Sequence, residues 1–230
     1  MPRPLGVGGK NPHPAWLCLD LGNTLVHADA DILVASWLQQ PGCADLDRQR
    51  IVVSFRAACE AHHHVHLRKD ESRVDALGRY WAFLLDCNER SGVLAAHATL
   101  DGPDIYTQRD PHALEVLRTF HQEGTKICVL TNNEGEALRE LQEHSLDGFV
   151  DHIVESSAVG IEKPAQAIFQ RAAQMVGLPT KSGWFVGDGV INDLLGAALA
   201  GFGRPLLFDP FGAAPSLPHE YRIQSLRELL

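Results

Sequence analysis

The chain has 230 residues, 45% of them apolar, and a formal charge of −9, which suits one large domain or a core domain carrying a smaller inserted one. Its longest apolar runs, such as Ile127-Cys128-Val129-Leu130, are strand-length and too short to span a bilayer, so no membrane partner is expected. No basic stripe offers a surface for nucleic acid, whereas a small anionic substrate is still allowed because a few local donors can overcome a negative overall field.

Met1 to Pro14 is rich in Pro and Gly and lacks a continuous apolar segment, which predicts a disordered tail and not a signal peptide. Ala15 to Leu19 reads as the first strand. From Asp29 to Arg109 no strand signal appears, and Ile32 to Gln40, Asp47 to His64 and Ser72 to Asn88 read as three helices. Trp37, Leu38, Phe55, Tyr80, Trp81, Phe83 and Leu84 are the expected core of that helical region. Beyond it, helical spacing over Pro111 to Glu123, Glu134 to His144, Pro164 to Val176 and Ile191 to Ala200 alternates with apolar runs. Those runs are Lys126 to Leu130, Phe149 to Val154, Gly183 to Val186 and Pro205 to Phe208. Pro111 and Pro164 stand at the first helical position, and Gly124 and Gly177 stand where helices stop. The alternation predicts an α/β fold, a doubly wound parallel sheet with helices on both faces, built from residues 15–28 and 110–230. Residues 29–109 are then a helical domain inserted after the first strand.

Five cysteines (Cys18, Cys43, Cys59, Cys87, Cys128) form no CxxC pair. They fit a reducing cytoplasm better than a disulfide framework.

Ligands of open α/β sheets bind outside the carboxyl ends of the strands. The first strand ends in Asp20-Leu21-Gly22-Asn23-Thr24, the next core strand in Thr131-Asn132-Asn133, and a later one in Gly187-Asp188-Gly189 with Asp193 beyond; Lys163-Pro164 precedes a helix. Each piece alone is most simply a turn or a helix cap. Taken in order, with all four following strands, they place acids, a hydroxyl and a lysine on one sheet edge.

That order resembles the haloacid dehalogenase (HAD) superfamily, whose four motifs are an Asp-x-Asp-x-Thr loop, a strand ending in Thr or Ser, a Lys before a helix, and a Gly-Asp loop with a second acid. The resemblance covers Ala15 to Leu230 and implies a Rossmann-like core, with the helical insertion where the family's C1-type cap lies. It implies a Mg²⁺-dependent hydrolase of small phosphate monoesters working through an aspartyl-phosphate on Asp20, since a carboxylate can take the phosphoryl group and split the displacement into two steps. Asp20, the carbonyl of Gly22 and Asp188 are the implied metal ligands, and Asp193 steadies metal-bound water or Lys163. Asn23 and the other amides after Asp20, with Thr131, Asn132 and Lys163, are the implied seat of the phosphoryl oxygens. The implied partner is a small phosphorylated metabolite, bound by a monomer or homodimer.

One position departs from the pattern. The second Asp of the first motif, which exchanges a proton with the leaving group, is Gly22 here. This predicts weaker turnover of alkyl phosphates unless another group supplies the proton. It also leaves two rival readings open, a metal-independent 2-haloacid dehalogenase and a non-catalytic ligand-binding protein of the same fold. In His62-His63-His64-Val65-His66, only His62 and His66 have the i, i+4 spacing of a metal pair, and no third ligand is evident. The cluster reads as solvated or cleft-lining, with His62, His66 and Arg68 as further substrate contacts.

Overall fold

The computed structural model describes residues 13–61, 64, 71–102 and 104–230. Most of the expected N-terminal tail, together with His62, His63, His66 and Arg68, lies outside the described residues. Among those described, no helix is long and apolar enough to cross a membrane.

The chain runs β1 (Trp16–Leu19), β2 (Val26–His27), α1 (Ala30–Leu38), α2 (Arg48–Ala61), α3 (Arg73–Leu85), α4 (Glu89–Leu100) and β3 (Gln108–Arg109). It continues through α5 (Ala113–Gln122), β4 (Lys126–Thr131), α6 (Ala137–Glu143), β5 (His152–Glu155), α7 (Ser156–Val159) and α8 (Gln166–Val176). After β6 (Gly183–Gly187) come a wide π-type turn (Val190–Leu195), α9 (Gly196–Leu199), β7 (Arg204–Phe208) and β8 (Arg222–Ile223). Six parallel strands form one sheet in the order β5-β4-β1-β6-β7-β8. The chain reverses its direction of travel across the sheet at β1, and this switch point opens a crevice at the strands' carboxyl ends.

Period-two alternation explains why both faces of the sheet are covered. Leu17, Leu19, Ile127, Val129 and Val186 point to one layer, where Val116, Leu117 and Phe120 of α5 and Leu141 of α6 meet them. Trp16, Cys18, Cys128, Leu130 and Phe185 point to the other, against Ile168 and Phe169 of α8 and Ala197 of α9.

Between β2 and β3, which pair antiparallel, helices α1 to α4 gather around a core of their own that contains Trp37, Phe55, Trp81 and Leu85. The structure corrects the sequence reading twice here. Leu38, Leu84 and Phe83 do not join this core; Phe83 is 80% exposed. Helix α3 turns Ala82 and Leu85 inward, which rotates Phe83 and Leu84 out. A fourth helix, α4, was not expected, because its buried face is Ser91, Gly92, Ala95, Ala96 and Thr99, small residues that carry little hydrophobic periodicity. Those small residues let α3 and α4 touch: a Cβ on Gly78 would come 2.6 Å from the Gly92 carbonyl oxygen.

Candidate active site

The loop after β1 is wound tightly enough to present Asp20 at the sheet edge. The Asp20 N–H still bonds to Val186 O of β6 at 2.9 Å, and the Leu25 and Val26 amides both return to Leu21 O at 2.9 and 3.1 Å. Asn23 takes the left-handed conformation at φ 57°, which Asn tolerates better than most residues. Thr24 Oγ1 donates to Asp20 Oδ2 at 3.2 Å from within the same turn.

On the far side of the cleft, the Gly187-Asp188-Gly189 loop is glycine-flanked for room. A Cβ on Gly189 would stand 2.6 Å from Glu60 Oε1 and 3.0 Å from Asp193 Oδ2, and one on Gly187 would collide with the Asp193 carboxylate. That carboxylate folds back under the loop to accept the Gly189 N–H at 2.8 Å.

Lys163, only 3% exposed, joins the two sides. Its Nζ donates to Asp20 Oδ1 and to Asp193 Oδ1, each at 2.6 Å. The Asn132 side chain fixes the lysine's backbone by accepting the Lys163 N–H at 2.8 Å and donating to Lys163 O at 3.1 Å. Asp20, Gly22, Asn23, Thr131, Asn132, Lys163, Asp188 and Asp193 all line this one cavity of about 100 Å³. The structure thus brings together every site residue the sequence singled out, except those of the histidine segment outside the described residues.

The charges do not balance at rest. Oxygens of Asp20, Asp188 and Asp193 lie within 4.8 Å of one another. Burial pushes Asp20 up to about 7, with Asp193 and Asp188 adding to the effect against the pull of Lys163. Burial likewise pushes Asp188 up to about 6, opposed by Arg56. Burial works against the Lys163 charge, but Asp193 and Asp20 hold its ammonium well above the ordinary lysine range. A site of buried carboxylate oxygens short of positive charge fits a hard divalent cation. Asp20 and Asp188 suit the role by donor type. Asp193 holds Lys163 with one oxygen and the Gly189 N–H with the other, and its oxygens lie within 4.8 Å of the other two carboxylates.

Four lining residues escaped the sequence reading. Arg56 of α2 donates to Asp188 Oδ2 at 3.1 Å and to Asn23 O at 2.9 Å. Glu60, one turn further, accepts the amides of Val190, Ile191 and Asn192 at 3.1, 2.6 and 2.9 Å. Cys59 and Tyr106 complete the wall. Arg56 and Glu60 at i, i+4 carry the signature of an ordinary surface ion pair, so only their position beside buried Phe55 could have flagged them. His64, the described member of the histidine cluster, bonds to Asn192 Oδ1 at 2.7 Å on the rim.

The family model described as haloacid dehalogenase-like hydrolase matches residues 15–201. The chain is 27% identical over 122 residues to haloacid dehalogenase-like hydrolase domain-containing protein 3 of Xenopus laevis, covering 52% of this chain and 50% of that protein. It is 27% identical over 112 residues to the glyceraldehyde 3-phosphate phosphatase of Pyrococcus abyssi, covering 48% and 46%. It spans about half the length of these curated relatives. In fold it is similar to the HAD-hydrolase YfnB of Bacillus subtilis, a structure bound to magnesium, with a TM-score of 0.66 at 20% identity over 94% of this chain and 97% of that one. Because the family model runs from the first strand to the helix after the Gly-Asp-Gly loop, the chain belongs to the haloacid dehalogenase-like hydrolases.

Proposed function

We propose that the chain is a Mg²⁺-dependent phosphatase of small phosphate monoesters that works through an aspartyl-phosphate on Asp20. The observation that carries this reading is Lys163, buried and held between Asp20 and Asp193, with Asp188 alongside. Asp20 is oriented by Lys163 on one oxygen and by Thr24 on the other, so its carboxylate is preset for attack on phosphorus. The Thr131 hydroxyl, the Asn132 amide, the amides after Asp20 and the Lys163 ammonium seat the phosphoryl oxygens where negative charge accumulates. Asp193 acts through Lys163, whose position it fixes. Magnesium held by Asp20 and Asp188 would neutralise phosphoryl charge and draw the two carboxylates together. In the second half of the reaction, water attacks phosphorus and returns Asp20 as a free carboxylate.

A cavity of about 100 Å³ walled by Arg56 and Glu60 supports a small substrate, as does the relative whose name gives a three-carbon phosphate ester.

The test is phosphate release from a panel of phosphorylated metabolites, with Mg²⁺ and with EDTA. Release that needs Mg²⁺ and vanishes in Asp20→Asn is the expected result. Turnover of a 2-haloacid that survives EDTA would install the dehalogenase reading instead. Stoichiometric BeF₃⁻ binding without any turnover would install the binding-protein reading.

A further inference from the structure

Cleaving a phosphate ester of a poor leaving alcohol requires a proton at the departing oxygen. Most polar side chains that line the cleft are already committed. Lys163 is held between Asp20 and Asp193, Arg56 is bound to Asp188 and Asn23 O, and Glu60 is spent on three amides. Thr131 belongs to the phosphoryl seat. Gly22, beside Asp20, offers no side chain.

The space over Gly22 is filled from a position 84 residues further along the chain. A Cβ on Gly22 would stand 3.3 Å from Cε1 of Tyr106 and 3.7 Å from its hydroxyl oxygen, and Tyr106 lines the same cavity as Asp20 and Asp188. We propose that the Tyr106 hydroxyl is the proton donor to the leaving oxygen, a catalytic residue for the phosphate hydrolysis proposed above, on which this inference rests.

The local structure holds the phenol in that place. His144, just past α6, donates from Nε2 to Tyr106 O at 3.0 Å. The Tyr106 N–H bonds to Asp104 Oδ1 at 2.9 Å, and Asp104 pairs with Arg139 of α6 at 3.1 Å. Tyr106 is therefore tied to the sheet-bearing part of the molecule, and its ring packs against both the core beneath Asp20 and the core of the helical insertion. Cys59 of α2 lines the same cavity.

The step balances. As an Asp20 oxygen bonds to phosphorus, the ester P–O bond breaks with its electron pair on the leaving oxygen, which takes the phenolic proton and departs as the alcohol. When water then attacks the aspartyl-phosphate, its oxygen bonds to phosphorus, the P–O bond to Asp20 breaks, and the phenolate recovers a proton from that water.

The experiment compares Tyr106→Phe with the wild-type chain on two substrates, an alkyl phosphate and 4-nitrophenyl phosphate, whose leaving group needs no proton. The expected result is a loss of kcat/KM on the order of 10²-fold or more on the alkyl ester, with less than about threefold lost on the aryl ester. A second variant, Gly22→Asp combined with Tyr106→Ala, opens the space and supplies a carboxylate, and is expected to recover alkyl turnover relative to Tyr106→Ala alone. Equal losses on both esters in Tyr106→Phe, or no loss on either, would overturn the assignment while leaving the phosphatase reading intact. A wild-type chain inactive on every phosphate ester would remove both.

Discussion

Raising the pH in the absence of divalent cations is expected to destabilise this protein. An unfolded Asp titrates near 3.9, whereas in the fold Asp20 is pushed to about 7 and Asp188 to about 6, both chiefly by burial. A carboxyl that binds its proton more tightly when folded contributes stability that is full below its unfolded pKa and lost as pH rises through its folded pKa. Integrated from pH 5 to 8, those values correspond to roughly 2–4 kcal/mol, or about 4–16 °C in Tm for a chain of this size. The carboxyls held low, Asp29, Asp75 and Asp151, act in the opposite sense, but their gain is complete below that window. Glu140, raised by burial, and His97, raised by its bonds to Asp75 and Asp101, act in the same direction as Asp20. The assay is therefore differential: Tm from pH 5 to 8 in EDTA for wild type, His97→Gln and Asp20→Asn. The decline should persist in His97→Gln, shrink by about half or more in Asp20→Asn, and shrink in wild type in excess Mg²⁺. A cation at 100 times its Kd restores about 2.7 kcal/mol. A wild-type Tm that is flat or rising from pH 5 to 8 in EDTA would refute the reasoning.

Two further predictions concern residues the sequence did not single out. Arg56→Ala removes a cation from Asp188 Oδ2 and should tighten Mg²⁺ binding at least about tenfold by calorimetry, since unit charges about 4 Å apart interact by several kcal/mol at an effective dielectric near 20. Unchanged or weaker binding would show that Arg56 and the metal do not share that carboxylate. Gly92→Ala places a methyl against Gly78 O and Ala82, and denaturant titration should show a loss of about 1–3 kcal/mol from overpacking. A neutral result would mean that α3 and α4 separate freely.

The sheet was legible because its strands are buried on both faces and bounded by helical periodicity. Asp20, Thr131 and Asp188 were legible because they stand at strand ends, where position along the chain translates directly into position at the crevice; Lys163 stands instead between α7 and α8. Strand boundaries moved only slightly: the expected Phe149–Val154 strand begins at His152, because Asp147–Phe149 closes a 3₁₀ turn first. What the sequence concealed shares one property. The small-residue face of α4, the Arg56 and Glu60 contacts and the placement of Tyr106 each depend on how one element packs against another, and none of them leaves a periodic trace along the chain.

Gly22 shows most clearly why the local motif was not enough. Read along the chain, it is a deletion, an acid replaced by a hydrogen, and it argues for a crippled site. Read in space, the glycine and Tyr106 form a matched pair, since a Cβ at 22 would press on the phenol ring at 3.3 Å. The tyrosine reaches that place only because β3 pairs with β2 at Val26–Arg109 and His27–Gln108, which returns the chain from the helical insertion directly beside the loop that carries Asp20. Arg56 and Glu60 of α2, inside the same insertion, meet the opposite wall formed by Asp188 and the amides after Gly189. A two-residue antiparallel ladder, too short to register as strands in the sequence, thus brackets the segment that furnishes half of the cleft. Lengthening the connection from α4 to β3 would consequently act on the chemistry and on the packing together, because Tyr106 sits against Gly22 and against both hydrophobic cores, and Ile105 beside it is buried in the core of the insertion.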